Sequence, residues 1–300
     1  MKMKRSIILP LLLAGLMLAS GCVPAESGVQ TPVQTPVQTQ SALPVEEVAP
    51  TPVATPSQTP ATPVKFTALE TDTAFSADID GDGVEETLLL TEETDEQAAF
   101  GTSVFLTVTR GGEEQKTKLA QGIFFGAYYM ESEGESGLAV SATFENDVQL
   151  TYTFALSGGE PVALAEIYGG ILTAENGTAV LLSRLYALGT WSVEIAYEID
   201  PAFGFAPAQD KEWTVLGCEH PLTVKKALPV QMDDNGVSWE ETLPMGTKLW
   251  ITDSDGSSYV RFVLEDNRQG MLFYEMKDGI ATLVDGTPDS DWLDDINYAG

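Results

Sequence analysis

Nine consecutive residues carry the clearest chemistry in this chain: Asp78-Ile79-Asp80-Gly81-Asp82-Gly83-Val84-Glu85-Glu86. Carboxylates stand at loop positions 1, 3, 5 and 9, glycine stands at 6, and Val84 at 7 offers its backbone carbonyl. A hard cation such as Ca²⁺ takes about six to eight oxygens, and alternating Asp around a glycine-permitted turn aims several of them at one point. Asp78, Asp80, Asp82, Val84 and Glu86 are therefore the candidate metal ligands, and calcium is the candidate ion. Position 12 is Leu89 where an EF-hand has a bidentate Glu. Ala74-Phe75-Ser76-Ala77 before the loop is not helical, and the loop leads into a strand, Thr87 to Leu90, so it is not a helix-loop-helix. The same residues also read as an acidic β-turn without an ion.

Other groupings invite chemistry and have plainer readings. Cys218-Glu219-His220 sets a thiol and an imidazole on one face of an extended segment, but nothing points to a third group that would orient the base. Glu92-Glu93, Glu240-Glu241 and Asp294-Asp295 could serve a glycosidase, although in a chain with 45 Asp and Glu they read as solvated surface. Trp191, Trp213, Trp239, Trp250 and Trp292 could stack on sugars and more often belong to cores. Asp253 and Asp255 resemble half a calcium loop, and a hairpin turn accounts for them.

The charge balance excludes whole classes of function. Fifteen Lys and Arg against 45 Asp and Glu give a net charge of −30 over 300 residues, the opposite of the cationic footprint that nucleic acid needs. It also argues against electrostatic docking on anionic lipid. One His and two Cys cannot build a multi-His zinc site or a Cys-rich cluster.

The N-terminus supplies an address. Met1 to Arg5 carry three positive charges, and an apolar run follows from Ile7 to Ala19, short of the roughly 20 residues that span a bilayer. The run ends in Leu18-Ala19-Ser20-Gly21-Cys22, the layout of a signal peptide. It resembles the lipobox of bacterial lipoproteins, with Ala19 where the family usually has Leu. That resemblance implies removal of residues 1–21 and lipidation of Cys22, which anchors the chain to the outer face of the cytoplasmic membrane. Residues 22–64 form a tether rich in Pro, Thr and Gln, with Thr-Pro-Val-Gln-Thr repeated from Thr31. Proline fixes φ and removes donors, so the tether should be extended, reaching on the order of 100 Å at ~3.1 Å per residue.

From Phe66 onward the apolar pattern has period two and is rich in Val, Ile, Thr, Tyr and Phe, with Gly-Gly turns at Gly111-Gly112 and Gly158-Gly159. The fold class is all-β. Asp82-Gly83, Glu135-Ser136-Gly137 and Glu175-Asn176-Gly177 each lead into an alternating strand, a weak repeat near 45 residues that matches a propeller blade. Residues 65–217 are thus expected to form blade-like antiparallel sheets, either a partial propeller or a sandwich. Residues 218–300 carry Leu243 to Ile251, a turn at Asp253 to Gly256, Tyr259 to Leu264, and Gly270 to Phe273. That series resembles a bacterial SH3-like domain and implies a small barrel. The Asp78–Glu86 loop resembles the D-x-D-G-D-G loop of VCBS or FG-GAP repeats, with Glu86 where those families usually have Asp. Together these features resemble uncharacterised VCBS/FG-GAP-repeat lipoproteins of Gram-positive bacteria.

The function expected from all this is a surface-anchored, non-catalytic binding or scaffold lipoprotein of the cell envelope, with a calcium loop. Its expected partners are the membrane, through the lipid on Cys22, and a cell-wall peptide, a carbohydrate or an envelope protein, but no nucleic acid. The alternative is an extracellular hydrolase using carboxylates.

Overall fold

The computed structural model describes residues 62–298 apart from 99, 145–146, 157–159 and 210. The signal peptide, Cys22, the tether up to residue 61 and the Gly158-Gly159 turn lie outside the described residues. Within them there is no α-helix, and no helix is long and apolar enough to cross a membrane.

The first half is a run of antiparallel strands: β1 (Lys65–Leu69), β2 (Ala74–Ala77), β3 (Glu86–Thr94), β4 (Thr102–Arg110), β5 (Glu113–Gln121), β6 (Ile123–Ser132), β7 (Glu135–Thr143), β8 (Gln149–Ala155) and β9 (Val162–Tyr168). They form two sheets, one ordered β2-β3-β4-β5 and the other β1-β6-β7-β8-β9. Period-two patterning governs most of these strands. In β3 the burial alternates from Glu86 to Leu90, and in β4 Val104, Leu106 and Val108 point inward.

β7 departs from alternation for a physical reason. Every residue from Ser136 to Ala142 is buried, as expected of a strand covered on both faces. Leu138, Val140 and Ala142 belong to a core shared with Leu88, Leu90 and Leu106, while Ala139 belongs to a second core shared with Leu181 and Ile195. The small side chains of β7 let layers pack on both sides. Its buried hydroxyls are satisfied: Ser141 Oγ bonds Thr151 Oγ1 at 2.8 Å and accepts the Ile171 N–H at 3.0 Å, and Thr151 donates to the Gly169 carbonyl at 2.6 Å. Gly137 is dictated by close approach, since a Cβ there would stand 2.6 Å from the ring of buried Phe203.

The second half comprises β10 (Gly170–Glu175), β11 (Thr178–Leu185), β12 (Trp191–Ile199), β13 (Phe205–Pro207), β14 (Trp213–Leu216), β15 (Leu222–Val224), β16 (Leu228–Asp234), β17 (Val237–Leu243), β18 (Lys248–Ser254), β19 (Tyr259–Leu264), β20 (Gln269–Phe273), β21 (Glu275–Lys277), β22 (Ile280–Thr282) and β23 (Leu293–Asp294). All but the β21–β22 hairpin join one 12-stranded sheet whose path runs β10-β11-β12-β14-β18-β19-β20-β16-β17.

This topology corrects the expected architecture. The chain is all-β, but no sheet curls into a propeller and none closes into an SH3-like barrel. Two strand sets do follow the meander order of a blade, β2 to β5 and β6 to β9. The third is not self-contained, because β14 pairs β12 through Val193↔Val215 and pairs β18 through Thr214↔Asp253. The strands after Gly217 therefore extend an open sheet, with β10 and β17 at its ends. One core runs across the junction and includes Leu181, Val193 and Ile195 together with Leu249, Ile251 and Phe262.

Candidate metal centre

The acidic loop links β2 to β3, which pair through Ala77↔Glu86. Its shape follows from its own side chains. Asp78 accepts the N–H of Gly81 at 2.8 Å and of Gly83 at 2.9 Å, Asp80 accepts that of Asp82 at 3.1 Å, and Asp82 accepts that of Val84 at 2.7 Å. Gly81 and Gly83 hold φ of +76° and +87°, a region costly for other residues. Ile79, 2 % exposed, is sunk in the core, and its N–H donates to Glu86 Oε2 at 3.1 Å.

Three of the four expected carboxylates converge. One carboxylate oxygen from each of Asp78, Asp80 and Glu86 lies within 4.8 Å of the others. Asp82 is outside this group, its carboxylate turned to the Val84 amide. Glu86 is 1 % exposed, whereas the two aspartates remain accessible.

Sequence reasoning missed Arg110 at the end of β4. Its Nε stands 3.1 Å from Glu86 Oε1, and its terminal nitrogen forms a 2.7 Å ion pair with Asp80 Oδ2. The usable signal was its place beside the Gly111-Gly112 turn, at the end of an alternating strand in a chain poor in cations. Three carboxylates and one guanidinium leave two formal negative charges. Nearby, burial pushes the phenol of Tyr129 up, with smaller contributions from the carboxylates of Glu131, Asp78 and Glu86, against the lowering effect of its hydrogen bond with Ser136. The donors are all hard carboxylate oxygens, so the cluster fits a hard divalent cation and can chelate one.

Most of the other groupings resolve as structure. The Cys218 thiol is pushed up by burial, and it donates to the His220 carbonyl at 3.7 Å. Glu92 accepts the Phe124 N–H, Glu93 holds Lys116, and Glu241 holds Arg268. Trp191 donates to the Ala187 carbonyl, and Trp292 lies under Lys226, whose Nζ is 3.7 Å from the ring centroid. Asp255 does organise a hairpin turn, accepting N–H bonds from Ser257, Ser258 and Tyr259. Asp253 is more than a turn residue. It sits in β18 beside Glu212 and Arg261 at the strand that joins the two parts of the large sheet. Among the described residues no catalytic triad or redox site is formed.

Comparisons of the chain with protein-family models, with curated proteins and with solved structures return no match. Function therefore rests on the chemistry of the site.

Proposed function

We propose that the chain is a lipid-anchored, non-catalytic binding or scaffold module of the bacterial cell envelope, and that its Asp78–Glu86 loop holds a calcium ion. The observation that carries this reading is the convergence of Asp78, Asp80 and Glu86 with a charge deficit that a divalent cation matches. These three residues would hold the ion, and Arg110 would keep the buried Glu86 neutralised in its absence. When bound, the cation supplies a fixed positive charge that ties the loop to β3. The leader, Cys22 and the tether support display outside the membrane.

Two measurements test this. Extracellular modules bind Ca²⁺ at about 10⁻⁴ to 10⁻³ M, and a ligand at about 100 times its dissociation constant stabilises by roughly 2.7 kcal/mol. The melting temperature is expected to rise with millimolar Ca²⁺ and fall with chelator, with Mg²⁺ doing less. Indifference to Ca²⁺ would remove the metal from the proposal. Cys22→Ser is expected to shift the protein out of the membrane fraction, and unchanged detergent partitioning would remove the anchor.

A further inference from the structure

We propose that a second site, where the five-stranded sheet hands over to the twelve-stranded one, binds a neutral sugar ring. The site names a ligand class for the binding module proposed above and rests on that reading. It is a cavity of about 210 Å³. Its walls carry four aromatic rings, from Tyr168 at the end of β9, Tyr186 after β11, Tyr197 on β12 and Trp213 on β14.

Two of these rings are held in place and two stand in solvent. Tyr197 is buried and packs against Phe205 with centroids 6.3 Å apart. Trp213 lies against Gly256, where a Cβ would come within 2.5 Å of the indole, so its ring depends on that glycine. Tyr168 is 69 % exposed and Tyr186 is 46 % exposed, at the mouth of the same cavity. Aromatic residues present an apolar face with a polar tip, and two such rings stand open to solvent where they line the cavity. Gln149, Ser183 and Arg184 add polar side chains to the lining, and Val148 and Ile195 add apolar ones.

Chemistry narrows the occupant. A few oriented polar groups in a largely apolar concavity define a small-molecule site. A cation–π cage for an ammonium ligand would lack a counter-ion, since no Asp or Glu stands among the residues that line the cavity. An anionic ligand is repelled by the net charge of −30. The volume lies below the roughly 300–1,000 Å³ typical of drug-sized ligands, so the cavity takes a single ring. A neutral pyranose meets these conditions. Its C–H face would stack on the aromatic rings, and its hydroxyls would bond to the Gln149 amide and the Ser183 hydroxyl. Neighbouring units of an oligosaccharide would lie across Tyr168 and Tyr186.

The test titrates the full-length chain with the trisaccharides of N-acetylglucosamine, cellulose and maltose, following tryptophan fluorescence and saturation-transfer NMR. Saturable binding of at least one is expected, weakened at least tenfold by Tyr168→Ala combined with Tyr186→Ala. Both are exposed, so the variant keeps its melting temperature. Absence of saturable binding to all three, or binding that survives the double substitution, would overturn the inference, as would tetramethylammonium competing for the site. The calcium response and membrane partitioning are read in parallel. If they persist while sugar binding fails, only this inference falls.

Discussion

Glu86 is a carboxylate with 1 % exposure, and a charge withdrawn so far from water must be met by partners. It has two, the Ile79 N–H and the Arg110 guanidinium. Arg110→Ala leaves Glu86 and Asp80 without their cation. In chelator that change is expected to cost about 1–3 kcal/mol, the penalty of an under-satisfied buried group. In millimolar Ca²⁺ the loss should shrink, because the metal supplies the missing charge, and the melting shift between chelator and Ca²⁺ should exceed that of the wild type. Equal shifts would mean that Arg110 and the ion do not share the site. The loop itself was legible in the sequence because its geometry is local: each Asp bonds an amide no more than five residues away. Arg110 was not, because its role depends on the register of β3 against β4 across 24 residues.

The strands show where local patterning suffices and where it stops. Alternation marked β4 and β12, each with one buried face. In β7 the uninterrupted burial records a second layer that no local pattern announces. Gly137, at the start of this strand, takes the ring of Phe203, which the loop after β12 holds at a positive φ of 65°. Asp200 shapes that loop by accepting the N–H groups of Ala202 and Gly204. Gly137→Ala forces the ring out of a packed position, and the expected cost is about 1–3 kcal/mol, read from urea midpoints with an unchanged slope. A neutral outcome would mean that the Phe203 loop yields without penalty.

For the whole molecule, the large sheet is the organising feature, and the spacing of strands after Gly217 could not reveal it. Turn spacing resembles an SH3-like series whether the strands close on themselves or extend a neighbour's sheet, and only the β14–β18 pairing separates the two. A chain beginning at Gly217 loses β14 and half of a shared core, so it is expected to lack a cooperative unfolding transition, whereas a sharp transition would show that those strands fold alone. The same seam carries a pH dependence. Burial, and then a hydrogen bond and repulsion from Glu212, raise the Asp253 carboxyl above its usual 3.8, against the lowering effects of Thr252 and Arg261. The folded state therefore holds this proton more tightly than the unfolded chain. The group stabilises fully below pH 3.8, and that contribution fades as pH rises through the folded value. Asp253→Asn removes the titration, so its stability relative to wild type should improve from pH 4 toward pH 7. Parallel profiles would contradict the assignment.

The central claim is a cation held by Asp78, Asp80 and Glu86. Titration calorimetry of Ca²⁺ into the full-length chain at neutral pH tests it most directly, alongside the variant Asp80→Ala with Glu86→Gln. The expected result is one saturable site with a dissociation constant of about 10⁻⁴ to 10⁻³ M that is lost in the double variant. No binding heat in the wild type, or the same heat in the variant, would contradict it and leave the loop an acidic turn neutralised by Arg110 alone.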